Sequence, residues 1–178
     1  MTISGVHHTG LIVRDLDASI EFYHGVLGFP FDSEPSPWFD GDELAEGVGV
    51  PGARLRQCCL RVGDGVLELL EYANREPSDE PVHQNHLGAA HVAFRVDDVE
   101  RTKADLEAAG VEFLTEAHTV DDGVLAGWRW VYFRDPDGIP LELVEVAYTR
   151  PDERRAGIAA YLADHPAAGG TAPSEGAP

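Results

Sequence analysis

His8–Phe29 reads HTGLIVRDLDASIEFYHGVLGF, and His91–Phe113 reads HVAFRVDDVERTKADLEAAGVEF. Both open with a histidine and a short apolar run, and both reach a valine, Val13 or Val96, five residues later. Asp15 and Asp98 follow where a helix N-cap belongs. Apolar residues then recur at helical spacing, Leu16, Ile20, Tyr23 and Leu27 in the first stretch and Val99, Leu106 and Ala109 in the second. Each helix is expected to stop at a glycine, Gly28 or Gly110, the residue that most readily takes the left-handed conformation ending a helix.

Working outward, GDGVLELLE (Gly63–Glu71) and DPDGIPLELVE (Asp135–Glu145) each read as a turn followed by a strand. The chain is thus one β-α-β-β-β unit written twice, an α+β architecture of two tandem βαβββ modules. The first module is expected over residues 4–72, a polar linker over 73–87, the second module over 88–147, and a short helix with a flexible tail over 148–178. Ser33–Gly52 interrupts the first module and reads as a lid or entrance loop.

Composition narrows the function classes. Among 178 residues, 32 acidic against 13 basic give a net charge of −19. Nucleic acid and anionic membranes call for a basic footprint, so neither is expected as a partner. No stretch approaches the roughly 18 apolar residues of a membrane span. MTISGVHHTG lacks the basic-then-apolar pattern of a secretory signal, and a cytoplasmic setting is expected. Cys58 and Cys59 are adjacent, so on a strand they face opposite ways and read as packing residues rather than a disulfide.

Strand alternation singles out four residues. In GVLELLE, Glu68 opposes Leu67 and Leu69. In IPLELVE, Glu142 opposes Leu141 and Leu143. His8 shares a face with Gly10 and Ile12, and His91 shares one with Ala93 and Arg95, opposite Val92, Phe94 and Val96. A lone strand histidine is more often a satisfied core or surface residue than a ligand. Here each module offers one histidine on its first strand and one glutamate on its last, all on the face away from the helix. Sheets that curl toward each other would bring together two His and two Glu, a donor set for one divalent first-row metal.

These features resemble the vicinal oxygen chelate superfamily, over about residues 4–147, with HHTGLIVRDLDASIEFYHGVLGF and FRDPDGIPLELVE as the specific carriers. The resemblance implies an open, barrel-like cleft around one divalent ion per site, with Zn, Ni, Co, Mn and Fe all open. It places the metal positions on His8, Glu68, His91 and Glu142. A homodimer is expected, and relatives build the site either within one chain or between modules of two chains.

Family membership does not choose the chemistry. Extradiol dioxygenases keep two His and one carboxylate; a carboxylate at Glu68 as well disfavours that open face. Methylmalonyl-CoA epimerases carry a separate glutamate on a middle strand, whereas ARLRQCCLR (Ala53–Arg61) has no acid. Glyoxalase I-like lyases use a metal-bound glutamate as base, a role open here to Glu68 or Glu142. The preferred reading is a metal-dependent epimerase or isomerase that moves a proton alpha to a carbonyl through an enediolate. Its substrate would be a small hydroxyketone such as the cyclic 2-epi-5-epi-valiolone. The extradiol, glyoxalase I-like and methylmalonyl-CoA readings stay as alternatives, with a drug-binding resistance protein as the non-enzyme one. Gln57, Arg95, Trp128 and Trp130 are candidate substrate contacts. Arg54, Arg56 and Arg129 are candidate cations for a glutathione or CoA substrate. His7, His24, His83, His86, His118 and His165 have no counterpart in the other repeat and read as surface or loop residues.

Overall fold

The computed structural model describes residues 3–75, 83–146 and 151–165. Strand β1 (Thr9–Val13) starts one residue after His8 and leads into helix α1 (Leu16–Ile20), which continues as a π-helical segment over Glu21–Val26. The Asp15 carboxylate accepts the N–H of Asp17 and Ala18, so the cap read from sequence is formed. Leu27 N–H bonds the Phe22 carbonyl, one residue farther back than an α-helix reaches. Gly28 then reverses the chain at φ 76°.

Strands β2 (Phe31–Ser33), β4 (Arg54–Val62) and β5 (Gly65–Tyr72) complete the first module, with strand order β1-β5-β4-β2. The Ser33–Gly52 insertion carries β3 (Phe39–Asp40) and helix α2 (Asp42–Val48). It is pinned to β4: Phe39 and Asp40 pair with Leu55 and Arg54. Ser36 N–H donates to the Gln57 carbonyl at 2.8 Å, and the Trp38 ring lies under the guanidinium groups of Arg54 and Arg56.

The second module repeats the plan. Strand β6 (Val92–Arg95) leads to helix α3 (Val99–Ala108), capped by the Asp98 carboxylate on Arg101 N–H and ended at Gly110, φ 92°. Strands β7 (His118–Thr119), β8 (Arg129–Arg134) and β9 (Pro140–Glu145) follow, in sheet order β6-β9-β8-β7. In both sheets the first strand lies parallel beside the last. Helix α4 (Pro151–Asp164) comes next, and the tail expected beyond it lies outside the described residues. No described helix is long and apolar enough to cross a membrane.

One core joins the modules, and it is made from the helix-side faces of both sheets. Leu16, Tyr23, Cys58, Leu60, Leu67 and Leu69 pack in it with Phe94, Val99, Val131, Phe133, Leu141 and Leu143. Burial pushes the Cys58 thiol up to about 11. Burying that apolar area is the main stabilising term. One polar seam crosses the core: Tyr23 O–H donates to the Asp135 Oδ2 at 3.0 Å, while Asp135 Oδ1 accepts the N–H of Asp137 and Ile139. Burial raises the Asp135 pKa above the usual carboxylate value, although these hydrogen bonds act against the shift. Because the helix-side faces are spent on this contact, the two concave faces lie outside the shared core.

Candidate metal centre

Strand register decides which side chains meet on each concave face. Glu68 pairs with Gly10 on the parallel side and with Cys59 on the antiparallel side. Glu142 pairs in the same way with Ala93 and Tyr132. The flanking leucines 67, 69, 141 and 143 are buried in the core, which fixes the glutamates on the opposite face.

Each glutamate meets its own module's histidine. His8 Nε2 lies 3.3 Å from Glu68 Oε2, and His91 Nε2 lies 3.2 Å from Glu142 Oε2. The imidazoles are 45% and 41% exposed and the carboxylates 17% and 14%, so each pair opens outward from a partly buried acid. Two donors that each bind one ion at about 2.0–2.2 Å stand roughly 3.0–3.5 Å apart, so both pairs have the spacing of neighbouring ligands. The residues therefore fit a divalent ion, two donors at a time. The structure brings the four residues together as two pairs, and among the described residues no group of three or more His, Cys, Asp or Glu gathers around one point.

Further groups orient the pairs. His7 Nδ1 lies 2.8 Å from His8 Nδ1, which leaves the His8 Nε2 toward Glu68. The Tyr132 hydroxyl is 3.3 Å from His91 Nε2, and Tyr132 stands opposite Glu142 in the strand register. Burial first, and the neighbouring Glu142 carboxylate second, push Tyr132 up to about 12. Trp130 meets the Tyr132 ring edge-on, and His118 lies tilted over Trp130 with centroids 4.8 Å apart. His118 is exposed, as expected, and its ring lies against Trp130 at the sheet edge.

The other candidates are distributed unevenly. Gln57 and Trp130 lie on the two concave faces, two residues from Cys59 and Tyr132 respectively. Trp128 precedes β8 and has Arg154 of α4 over its ring. Arg95 has no ion-pair partner among the described residues and lines a cavity of about 390 Å³ between the modules, with Phe29, Phe94 and Phe133. The cations considered for glutathione or CoA are committed elsewhere. Arg56 is held by Glu71 and Asp17, Arg129 by Glu100 and Glu145, and Arg54 by Asp40.

Glu71 and Glu145, the second acids of LELLE and LELVE, were not singled out by sequence. They face the helices and accept the first helical N–H groups, of Leu16 at 2.8 Å and Val99 at 3.0 Å. In the sequence Tyr132 shares a strand face with Trp128 and Trp130, an aromatic set that reads as core or pocket wall. Counting through the turn would have found more: a hairpin centred on Asp137 sets Tyr132 opposite Glu142.

A family model described as the Glyoxalase/Bleomycin resistance protein/Dioxygenase superfamily matches residues 5–143. The chain is 34% identical over 159 residues to a 2-epi-5-epi-valiolone epimerase from an Actinomyces species, covering 88% of this chain and 87% of that one. It is 30% identical over 146 residues to a lactoylglutathione lyase from Haemophilus influenzae, covering 80% and 93%. Among solved structures it is similar to a glyoxalase family protein from Enterococcus faecalis, with TM-score 0.60 and 26% identity, over 82% of this chain and 100% of that one.

Proposed function

The chain belongs to the Glyoxalase/Bleomycin resistance protein/Dioxygenase superfamily, and from that premise we propose that it is a divalent-metal-dependent epimerase or isomerase of a small α-hydroxyketone. The observation that carries the reading is the pair of matched half-sites, His8 with Glu68 and His91 with Glu142, each at ligand spacing. The half-sites stay apart within one chain, so His8 and Glu68 of one copy would join His91 and Glu142 of a second. A two-fold dimer pairs each half with the other kind and completes two sites at once. An ion held by these four residues supplies Lewis acidity toward a carbonyl oxygen.

The chain's own groups supply the rest. A carboxylate beside the bound substrate takes the proton from the carbon next to the carbonyl, the ordinary general-base role. Trp130 and Tyr132 wall one side of the cleft and Gln57 offers an amide on the other. The relative whose printed name is an epimerase of 2-epi-5-epi-valiolone supports a ketone of that kind. The ion-paired state of Arg56 and Arg129 supports a substrate without a large anionic carrier. So does the net charge of −19.

The test is metal analysis of the purified protein, followed by incubation with cyclic and open-chain α-hydroxyketones in D₂O. Deuterium at the α-carbon is the expected result. Oxygen uptake with a catechol would move the assignment to ring cleavage, and neither signal would move it to binding.

A further inference from the structure

The contact between the modules is built from two copies of one repeat, yet only one end of it is sealed. At that end Tyr23 of the first repeat donates to Asp135 of the second at 3.0 Å, and Arg14 Nε lies 3.3 Å from the Asp137 carboxylate. Counting each repeat from its histidine, Leu106 stands where Tyr23 does and Asp97 where Arg14 does. Counting back from the glycine of each DG turn, Gly65 or Gly138, Val62 replaces Asp135 and Asp64 replaces Asp137. The other end therefore has two aliphatic side chains in place of a hydrogen-bonded pair. It also has two acids in place of an ion pair, and like charges form no bridge. What is left there is the cavity of about 390 Å³, which both Leu106 and Val62 line.

Its walls select a ligand. Phe29, Phe94 and Phe133 supply aromatic surface, with the Phe29 and Phe94 rings 5.1 Å apart. Arg61 and Arg95 also line the cavity, and no acid does among the described residues. Arg61 is committed to Asp32, whereas the exposed Arg95 has no ion-pair partner among the described residues. Asp64 and Asp97 are exposed and lie outside the lining. The volume falls low in the roughly 300–1,000 Å³ range of small-molecule sites. A ring buried among these phenylalanines gains the hydrophobic term, and a carboxylate on it can take a charge-assisted hydrogen bond from the free guanidinium. We propose that this inter-module cavity is a binding site for a small arylalkanoic monocarboxylate. Phe133 and Leu143 line it and alternate with Tyr132 and Glu142, so it lies across the second sheet from the His91–Glu142 pair. The site is thus separate from the metal pairs and independent of the chemistry assigned to them.

The probe is phenylpropionate, with phenylpropanol and phenylpropylamine as its neutral and cationic matches. Binding to the full-length protein is followed by calorimetry and by amide NMR shifts, first metal-free and then with Zn²⁺ present. The acid should bind in both states and raise the thermal midpoint, because it holds the two modules together only in the folded chain. Amide signals of Gly63, Val96 and Leu106 should move while those of Gly10 and Ala93 stay in place. The alcohol and the amine should bind about tenfold more weakly or worse, and Arg95→Met should weaken the acid by a similar factor. Leu106→Tyr combined with Val62→Asp copies the sealed end and should abolish binding. The assignment is overturned if the acid does not bind, or if the alcohol or the amine binds as tightly. It is equally overturned if binding needs Zn²⁺ and moves Gly10 and Ala93, or if Arg95→Met keeps full affinity. Should the double variant not fold, Arg95→Met, a change at an exposed position, decides the matter.

Discussion

Gly10 and Ala93 occupy the same register position beside the two glutamates, and one methyl group separates them. Gly10 does not need a left-handed backbone, so its value lies in the missing side chain rather than in conformational freedom. A methyl there would stand 3.3 Å from Leu70 Cδ1 and 3.6 Å from Glu68 Oε2. The first contact is tight but falls on the far end of a flexible side chain, and the second removes room from Glu68. Gly10→Ala should therefore leave thermal unfolding and Zn²⁺ affinity close to wild type. Its α-hydrogen exchange should fall by about tenfold, short of the ~10²-fold that a 1 Å misplacement of a reacting group costs. Unchanged exchange would show that Glu68 does not use that space.

At the scale of the element, the closing strand carries two acids with opposite duties. On β5, Glu68 faces the cleft and Glu71 faces helix α1, where it accepts the Leu16 N–H and both Nε and Nη2 of Arg56. Glu71→Ala would leave a helix N–H and part of a guanidinium without their acceptor in a half-buried setting. The expected loss is about 2–3 kcal/mol in urea unfolding. Glu68→Ala removes a cleft-facing group and should stay within about 0.5 kcal/mol. Equal losses would remove the division of labour. This division also marks what the sequence could reveal. The repeat, the caps at Asp15 and Asp98 and the stops at Gly28 and Gly110 rest on local spacing, so they were legible. The faces of Glu68 and Glu142 followed from strand alternation. The ion pairs of Arg56 and Arg129 depend on which helix packs over which strand, and no local pattern encodes that. The pinned insertion was hidden for the same reason: Ser36 and Phe39 find β4 through tertiary pairing, while the string Ser33–Gly52 reads as loop.

At the scale of the whole molecule, the modules meet through their helix-side faces, sealed by Tyr23 on Asp135 and by Arg14 N–H on the Asp137 carboxylate at 2.7 Å. That packing is what separates the His8 and His91 half-sites, and sequence symmetry alone could not reveal it, since the same repeats can also converge within one chain. If a second copy supplies the missing half, each site in a dimer takes His8 and Glu68 from one chain and His91 and Glu142 from the other. Variants damaged in different halves can then rescue each other. A His8→Ala chain paired with a His91→Ala chain forms one site with both defects and one with none. Co-expressed in equal amounts, the two chains pair at random and about half the dimers are mixed. About one quarter of the wild-type number of intact sites should therefore return, read as tightly bound Zn²⁺ per chain, while each variant alone has none. His8→Ala mixed with Glu68→Ala shares the damaged half and should give no rescue. If the first mixture also stays at the level of its parents while gel filtration shows mixed dimers, the four ligands must converge within a single chain. The module packing described above would then have to open before metal binds.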